Sequence, residues 1–568
     1  MSIGLRIKIL GTIFLLGFLA LSLRLFFWQV IKGKSLSTQA RGQHEVGTAL
    51  SAPRGNILAS DGSFLAARIG GWLIYASMPD LEDDANYISG QLAPFFADDE
   101  NLKNEKLRLY DLLNKREAVW IPLKHKVQDE TKKNIEALDL PGIGFEEEEL
   151  RFYPEASAAA QLLGFVGKTK EGEDTGYFGL EGYYDLVLSG KPGFLESERD
   201  ARGTPIHLGS EREVSAIEGV DLVTNIDKSI QLISESKLKE GIEQYGAKGG
   251  SIVIMDPRSG SIIASTSFPS YDPGKYFDFG NEYFKDPVVS DAFEPGSIFK
   301  VLVMSAALDA GVIKPETICE ICDGPVRVDK YTIETWNKEY RADSTMTDII
   351  VHSDNVGMVF VGQRLGADKL WEYLNNFGIG NLTGIDLQGE ASPKLREKGK
   401  WNLVDLSVAS FGQGVAVTPI QMIRAVSAIA NKGVITSPQI VNKIKSSSWE
   451  EEVRPVEGKR VISEEAAENI TAMMVEAAKN GESKWTHLKG FKVAGKTGTA
   501  QIPISGHYDD EKTIASFIGF APADNPKFIM LVTLKEPQSS PWASETAAPL
   551  WYGVAKDLFP YFGIQPEK

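Results

Sequence analysis

An uncharged apolar run from Ile9 to Leu23, interrupted by Arg24 and resumed by LFFWQVI up to Ile31, constrains this chain more than any other feature. At a rise of about 1.5 Å per residue, a helix of that length crosses the hydrocarbon core of a bilayer. A cleaved signal peptide is the simpler alternative, because Ala20-Leu21-Ser22 loosely fits a small-x-small site. Cleavage there would leave a mature chain that begins on the greasy segment LRLFFWQVI, so the sequence favours an uncleaved anchor. Arg24 must then snorkel or find a partner, and a charge at membrane depth points to function by default. The flanking charges do not fix orientation: Arg6 and Lys8 precede the run, and Lys32, Lys34 and Arg41 follow it.

The rest of the 568 residues exceed one ordinary domain. Hydrophobic residues make up 43% and charged residues 24%, values of a globular chain with a real core. A net charge of −17 argues against a nucleic-acid binder, which carries a basic patch or stripe. No low-complexity tract or short repeat is present. Two cysteines, Cys319 and Cys322 in CEIC, fall short of a zinc site, which needs two more ligands. His44, His125, His207, His352, His487 and His507 form no HxxxH or similar pair. The cysteines read as a local disulfide or two structural thiols, and the spacing of Cys and His disfavours a metal site.

The texture changes along the chain. Residues 35–235 read as a mixed, mostly β, non-catalytic region with Gly/Pro punctuation, as in SAPRGNILASDGSFLA. Within it, residues 100–140 are charge-rich and helical, the pattern of a solvated lobe. From residue 236 the pattern is different. GGSIVIMDPRSGSIIASTSFP predicts two strands around a Pro-Arg-Ser-Gly turn. A helix is expected from Ser297 to Ala310, closed by Gly311, and another over residues 461–481. Strands are expected at residues 491–501, 514–522 and 526–534, and a last helix at 544–558. Strands at both ends with helices between them predict an α/β sandwich whose sheet is closed by sequence-distant strands.

The stretch FEPGSIFKVLVM poses a chemical question. Ser297 is a good N-cap residue, but a capping box would put Glu or Gln where Lys300 stands. A cation in the first turn opposes the helix dipole, at a cost of a few tenths to about 1 kcal/mol. Ser-x-x-Lys alone means little, since about two matches arise by chance in a chain this long. Another instance, Ser236/Lys239, sits in the polar amphipathic segment SESKLKE and reads as a decoy. IFKVLVMSAAL, in contrast, is apolar nearly all round and should be buried. Burial and the helix N-terminus both disfavour an ammonium, so Lys300 would be a neutral amine poised as a base beside a serine; from this segment alone an N-cap serine with a snorkelling lysine stands as the alternative.

Two further segments bear on that reading: His352-Ser353-Asp354-Asn355, and Lys496-Thr497-Gly498-Thr499 on an expected strand. Taken singly, the first is a turn or N-cap and the second a strand end. In this order, with Ser297/Lys300, they resemble the penicillin-binding, serine acyl-transferase superfamily. RGNILASDGSFLA, RFYP, GLEGYYD, FEPGS, FGQGVAVTPIQ and ASFIGFAPADNPKF, with the anchor ending in LFFWQVI, are similar to the class B penicillin-binding proteins over nearly the whole chain.

The resemblance implies a fold, an activity and a division of labour. The fold is α/β (α+β), the penicillin-binding/serine β-lactamase-like transpeptidase fold. It is preceded by a mostly β pedestal and one transmembrane helix. The expected boundaries are a cytoplasmic tail at 1–8, an anchor at 9–31, a pedestal or dimerisation-type domain at 35–235 and a transpeptidase domain at 236–568. Ser297 would attack the penultimate D-Ala carbonyl of a stem peptide, Lys300 would take its proton, and Ser353 would relay a proton to the leaving amine. Asn355 would bond the substrate amide and steady Lys300. Lys496, Thr497, Gly498 and Thr499 would bind the terminal carboxylate, with the Lys496 charge depressing the Lys300 pKa further. Backbone N–H groups of Ser297 and Thr499 would form the oxyanion hole, and Asp354 would support the loop without touching substrate. Implied ligands are peptidoglycan stem peptides and, as inhibitors, β-lactams, with no metal or organic cofactor needed. Implied partners are a SEDS-type glycan polymerase near Arg24 and other division proteins. The catalytic domain would lie outside the cytoplasmic membrane. Glu294 in FEPGS fits the division or spore-cortex branch better than the elongation branch.

Three alternatives stand beside this reading. A class A β-lactamase holds its deacylating water on a Glu in ExxLN; here Trp371 stands three residues before Leu374-Asn375, and Glu372 is out of register. A D,D-carboxypeptidase would use water in place of the acceptor amine. A non-catalytic wall-binding scaffold would not need the full set of site side chains.

Overall fold

The computed structural model describes residues 3–32, 45–115, 118–170, 172–198, 211–504 and 507–567. Lys34, Arg41, His44 and His207 lie outside the described residues. The chain forms two compact units, one of Met1–Arg54 with Ser189–Gly219 and one of Gly55–Leu188 with Val220–Lys568.

In the first unit a helix, Ile3–Phe26, continues through a π-helical turn, Phe27–Ile31. Together they are long and apolar enough to cross a membrane. The helix begins before the apolar run and takes in Lys8. The same unit holds an antiparallel sheet of Glu45–Leu50, Gly193–Glu198 and Glu211–Val214.

The second unit contains two larger sheets. In the first of them, Phe64–Ser77 is the hub: Ile143–Phe152 pairs with it on one side, and Ile57–Leu58 and Trp120–Val127 also pair with it. This sheet runs on through Asp221–Thr224 to Val441–Lys445 and Glu450–Glu452. Strands from the far side of the chain therefore complete a sheet that begins at residue 57. The charge-rich stretch at 100–140 is helical at Leu102–Leu113 and Asp129–Glu136. Between them, however, lies the strand Trp120–Val127. That lobe is not merely solvated. Leu109, Leu113, Ile121, Leu123 and Ile135 pack with Ile74, Ile88 and Leu92 in a small core of its own.

The other sheet is antiparallel and five-stranded. Helix α1 (Lys228–Tyr245) is capped by Asp227, whose side chain accepts from the Ser229 and Ile230 N–H groups. Then follow β1 (Gly249–Met255) and β2 (Ile262–Phe268). Next come α2 (Lys300–Asp309), α3 (Met346–Val351), α4 (Asn355–Leu365), α5 (Pro419–Ala430) and α6 (Glu464–Asn480). The chain closes with β3 (Ala494–Ile504), β4 (His507–Ala521), β5 (Phe528–Lys535) and α7 (Ala547–Tyr561). The strand order is β2-β1-β5-β4-β3, so β1 pairs with β5 across nearly the whole domain and β3 is an edge strand.

Alternation along the strands builds two apolar layers. Ile252, Ile254, Met530 and Val532 pack with Ile230 and Leu238 of α1 and Trp551 and Leu558 of α7. Val253, Met255, Ile529 and Leu531 share the opposite core with α2 and α5. Helix α2 is buried from Lys300 to Leu308, as an all-round apolar helix must be. Cys319 and Cys322 are joined by a disulfide.

Candidate active site

Ser297 caps nothing. It lies on a short 3-10 turn, Gly296–Phe299, directly before α2, and neither the turn nor the helix has a side-chain cap. Gly296 has φ +54°, a conformation that favours glycine. A Cβ there would also stand 3.0 Å from the Thr499 carbonyl oxygen, so the turn and β3 touch backbone to backbone. Gly498 permits the same approach from the strand side, since a Cβ on it would meet Ile298 Cγ2 at 2.9 Å and Ile298 N at 3.0 Å. The Gly296 N–H donates to the Gly412 carbonyl, and the Gly414 N–H donates to Glu294 Oε1. The Glu of FEPGS thus ties the FGQG loop to the nucleophile turn.

Helix α3 is opened by a capping box between Thr345 and Asp348 and ends at His352. Ser353 then takes φ +55°, a left-handed conformation costing a non-glycine residue about 1–2 kcal/mol. Asp354 caps α4 by accepting from the Val356 and Gly357 N–H groups, so its carboxylate is spent on the helix. This tight turn between two helices aims Ser353 and Asn355 at one point.

That point is Lys300 Nζ. The fully buried amine lies 2.6 Å from the Ser353 carbonyl oxygen, 2.7 Å from Asn355 Oδ1 and 3.2 Å from Ser353 Oγ. Asn355 is oriented by its Nδ2, which donates to the Glu334 carbonyl at 3.2 Å. Burial above all, and then the Lys496 charge, pull the Lys300 pKa down to about 7, against the opposing pull of Glu482 and Asp354. A neutral amine has two N–H groups and one lone pair. The Ser353 carbonyl and Asn355 Oδ1 can only accept, so they take both N–H groups and leave the lone pair for a hydroxyl.

Lys496, also buried, donates to Ser353 Oγ at 3.0 Å and to Thr497 O and Oγ1 at 3.1 and 3.2 Å. Burial lowers its pKa too, and Glu482 opposes the shift. Thr497 Oγ1 donates to Glu482 Oε2 at 2.7 Å, and Thr499 Oγ1 accepts from the Ala543 N–H at 3.0 Å. Ser297, Ser353, Asn355, Thr497 and Thr499 line one open cleft of about 200 Å³. Gly498 lies behind it, against Ile298.

Sequence reasoning missed Glu482, Trp336 and Trp542, which line the same cleft. The two indole rings lie 5.3 Å apart. Glu482 follows the glycine that ends α6 and belongs to no pattern; only the meeting of α6 with β3 reveals it. The decoy Ser236 bonds Glu240 on α1. Glu372 is paired with Lys398 on the surface at 2.6 Å, away from the cleft.

The penicillin binding protein transpeptidase domain matches residues 250–559, and the penicillin-binding protein dimerisation domain matches residues 49–224. The chain is 32% identical over 558 residues to stage V sporulation protein D of Bacillus subtilis (strain 168), covering 97% of this chain and 85% of that one. It is 30% identical over 593 residues to the peptidoglycan D,D-transpeptidase FtsI homolog of Mesostigma viride, covering 99% and 96%. Among solved structures, penicillin binding protein 2X from Streptococcus thermophilus superposes with a TM-score of 0.74 at 25% identity, over 91% of this chain and 80% of that one. With its transpeptidase and dimerisation domains both matched and its fold shared, the chain belongs to the penicillin-binding transpeptidase family, in class B.

Proposed function

We propose that the chain cross-links peptidoglycan stem peptides as a serine D,D-transpeptidase whose acyl-enzyme forms on Ser297. One observation carries this: a buried lysine of lowered pKa, one turn after Ser297, held by both ends of the Ser353-Asp354-Asn355 turn. Lys300 takes the Ser297 proton as the oxygen attacks the D-Ala carbonyl. Ser353, between the two lysine amines, passes a proton to the leaving D-Ala amine. Lys496, Thr497 and Thr499 bind the terminal carboxylate. The N–H groups of Ser297 and Thr499 bind the oxyanion, a role fitted to an edge strand facing the nucleophile; one such donor contributes about 3–4 kcal/mol. An amine of a second stem peptide then takes the acyl group. Penicillins enter by the same route.

The test is a donor peptide ending in D-Ala-D-Ala with an amine acceptor. Wild type should release D-Ala and form the cross-linked product, and Ser297→Ala should do neither. D-Ala release with no cross-link on a competent acceptor would favour the carboxypeptidase reading.

A septal role fits FEPGS, with spore cortex as the second reading. A fluorescent fusion confined to division sites supports the first, and one confined to forespores supports the second. The apolar helix anchors the chain, with the catalytic domain outside. Arg24 is exposed on that helix, and the proposed contact there is with a SEDS-type polymerase. Unchanged co-purification of Arg24→Leu with the polymerase would refute that contact.

A further inference from the structure

A carboxylate just past the C-terminus of a helix opposes the helix dipole, which favours cations there. Glu482 stands in that position, after Gly481 at the end of α6. Gly481 lies so close to α3 that a Cβ on it would be 2.8 Å from the Val351 carbonyl oxygen. The helix end is thereby seated beside the Ser353 turn, and Glu482 faces the cleft.

We propose that Glu482 is a positioning residue that fixes the direction of a hydrogen-bond chain running through Thr497, Lys496 and Ser353 to Lys300. The chain follows from donors and acceptors. A carboxylate can only accept, so the Thr497 hydroxyl proton is committed to Glu482 at 2.7 Å. Thr497 Oγ1 must then accept from Lys496, which donates onward to Ser353 Oγ. Ser353 Oγ accepts from Lys496 and, while Lys300 is an ammonium, from its Nζ at 3.2 Å, so its own proton is left for the cleft. In this way a carboxylate with no bond to either lysine sets the proton order at both. The charged groups acting on the pair come from several elements: Asp354 acts on Lys300, Lys496 acts on Lys300, and Glu482 acts on both. Glu482 favours the ammonium form of each.

This inference rests on the transpeptidase reading of the cleft. The experiment measures the rate of acylation by a fluorescent penicillin from pH 5 to pH 10 in wild type, E482Q and E482A. The amide introduced by E482Q would keep an oxygen that accepts from Thr497 and would lose the charge, whereas E482A loses both. In E482Q both limbs of the profile should move to lower pH, by roughly 0.5–1 unit, because the lysines deprotonate more easily. E482A should show the same shift and a lower maximum, because the Thr497 proton is no longer committed. A profile for E482Q that superimposes on wild type, or that falls equally at every pH, would overturn the proposal.

Melting temperature against pH is a second measurement, independent of acylation. The stabilisation of the two ammonium forms by Glu482 is present where both lysines are protonated and vanishes above their folded-state pKa values. The Tm gap between wild type and E482Q should therefore narrow as pH rises through 7, where Lys300 loses its proton, and close once Lys496 has lost its own; a constant gap would contradict the inference. Wild type that fails to label would sink the transpeptidase reading, and the melting profile would still judge Glu482.

Discussion

Lys300 Nζ lies 2.7 Å from Asn355 Oδ1, a bond that joins the helix after the nucleophile turn to the first residue of α4. The contact explains why a lysine stands where helix stability would prefer an acid. The position serves the amine, not the helix.

The first prediction is a pH profile. With the Lys300 pKa drawn down to about 7, the neutral amine is the active form, so the acylation rate should fall as pH drops through 7. Lys300→Met keeps the volume and removes the base. It should lower acylation by roughly 10²–10⁴-fold and flatten the acid limb. Stopped-flow acylation across pH checks both.

Asn355→Asp keeps an oxygen beside Lys300 Nζ and adds a negative charge. An opposite charge favours the ammonium, so the acid limb should move up by roughly 1–3 pH units. Acylation at pH 7 should drop about tenfold or more, and the deficit should shrink above about pH 9. A uniform deficit would mean that Asn355 acts on substrate alone.

Gly498→Ala would place a Cβ 2.9 Å from Ile298 Cγ2 and push β3 off the nucleophile turn. A displacement of about 1 Å costs roughly 10²-fold in a positioned reaction. The acylation rate should fall by that order while circular dichroism stays native.

Away from the cleft, Trp551 is fully buried in the layer behind the sheet, and its indole N–H donates to the Met530 carbonyl at 2.9 Å. Trp551→Ala should destabilise the domain by about 3–5 kcal/mol, seen as a lower urea midpoint. Trp551→Phe should recover much of that loss, because most of it is cavity.

How far the sequence reached depended on whether a constraint was local. Lys300 breaks a local rule of the helix, so it stands out in one dimension, whereas Ser353-Asp354-Asn355 and Lys496-Thr497-Gly498-Thr499 look ordinary singly and became legible only through their order and the family resemblance. All five strands, β1 to β5, were legible from strand-forming residue patterns and turn signals, although β4 begins at His507, before the expected residue 514. Glu482 was not, because its meaning depends on α6 ending against α3 and β3. The pairing of Val441–Lys445 with Asp221–Thr224 was equally hidden, since nothing in either segment names its partner. Trp120–Val127 was a different miss. Its burial alternates at Ile121 and Leu123, and the lysines around them masked a strand that the period would have shown.

Peptide mapping of the penicilloyl adduct tests the central claim most directly. Penicillin-treated wild type is digested and the modified residue located by fragmentation, with Ser297→Ala and Ser236→Ala alongside. The account predicts one adduct, on Ser297, present in Ser236→Ala and absent from Ser297→Ala. An adduct on any other residue, or one that persists in Ser297→Ala, would contradict it.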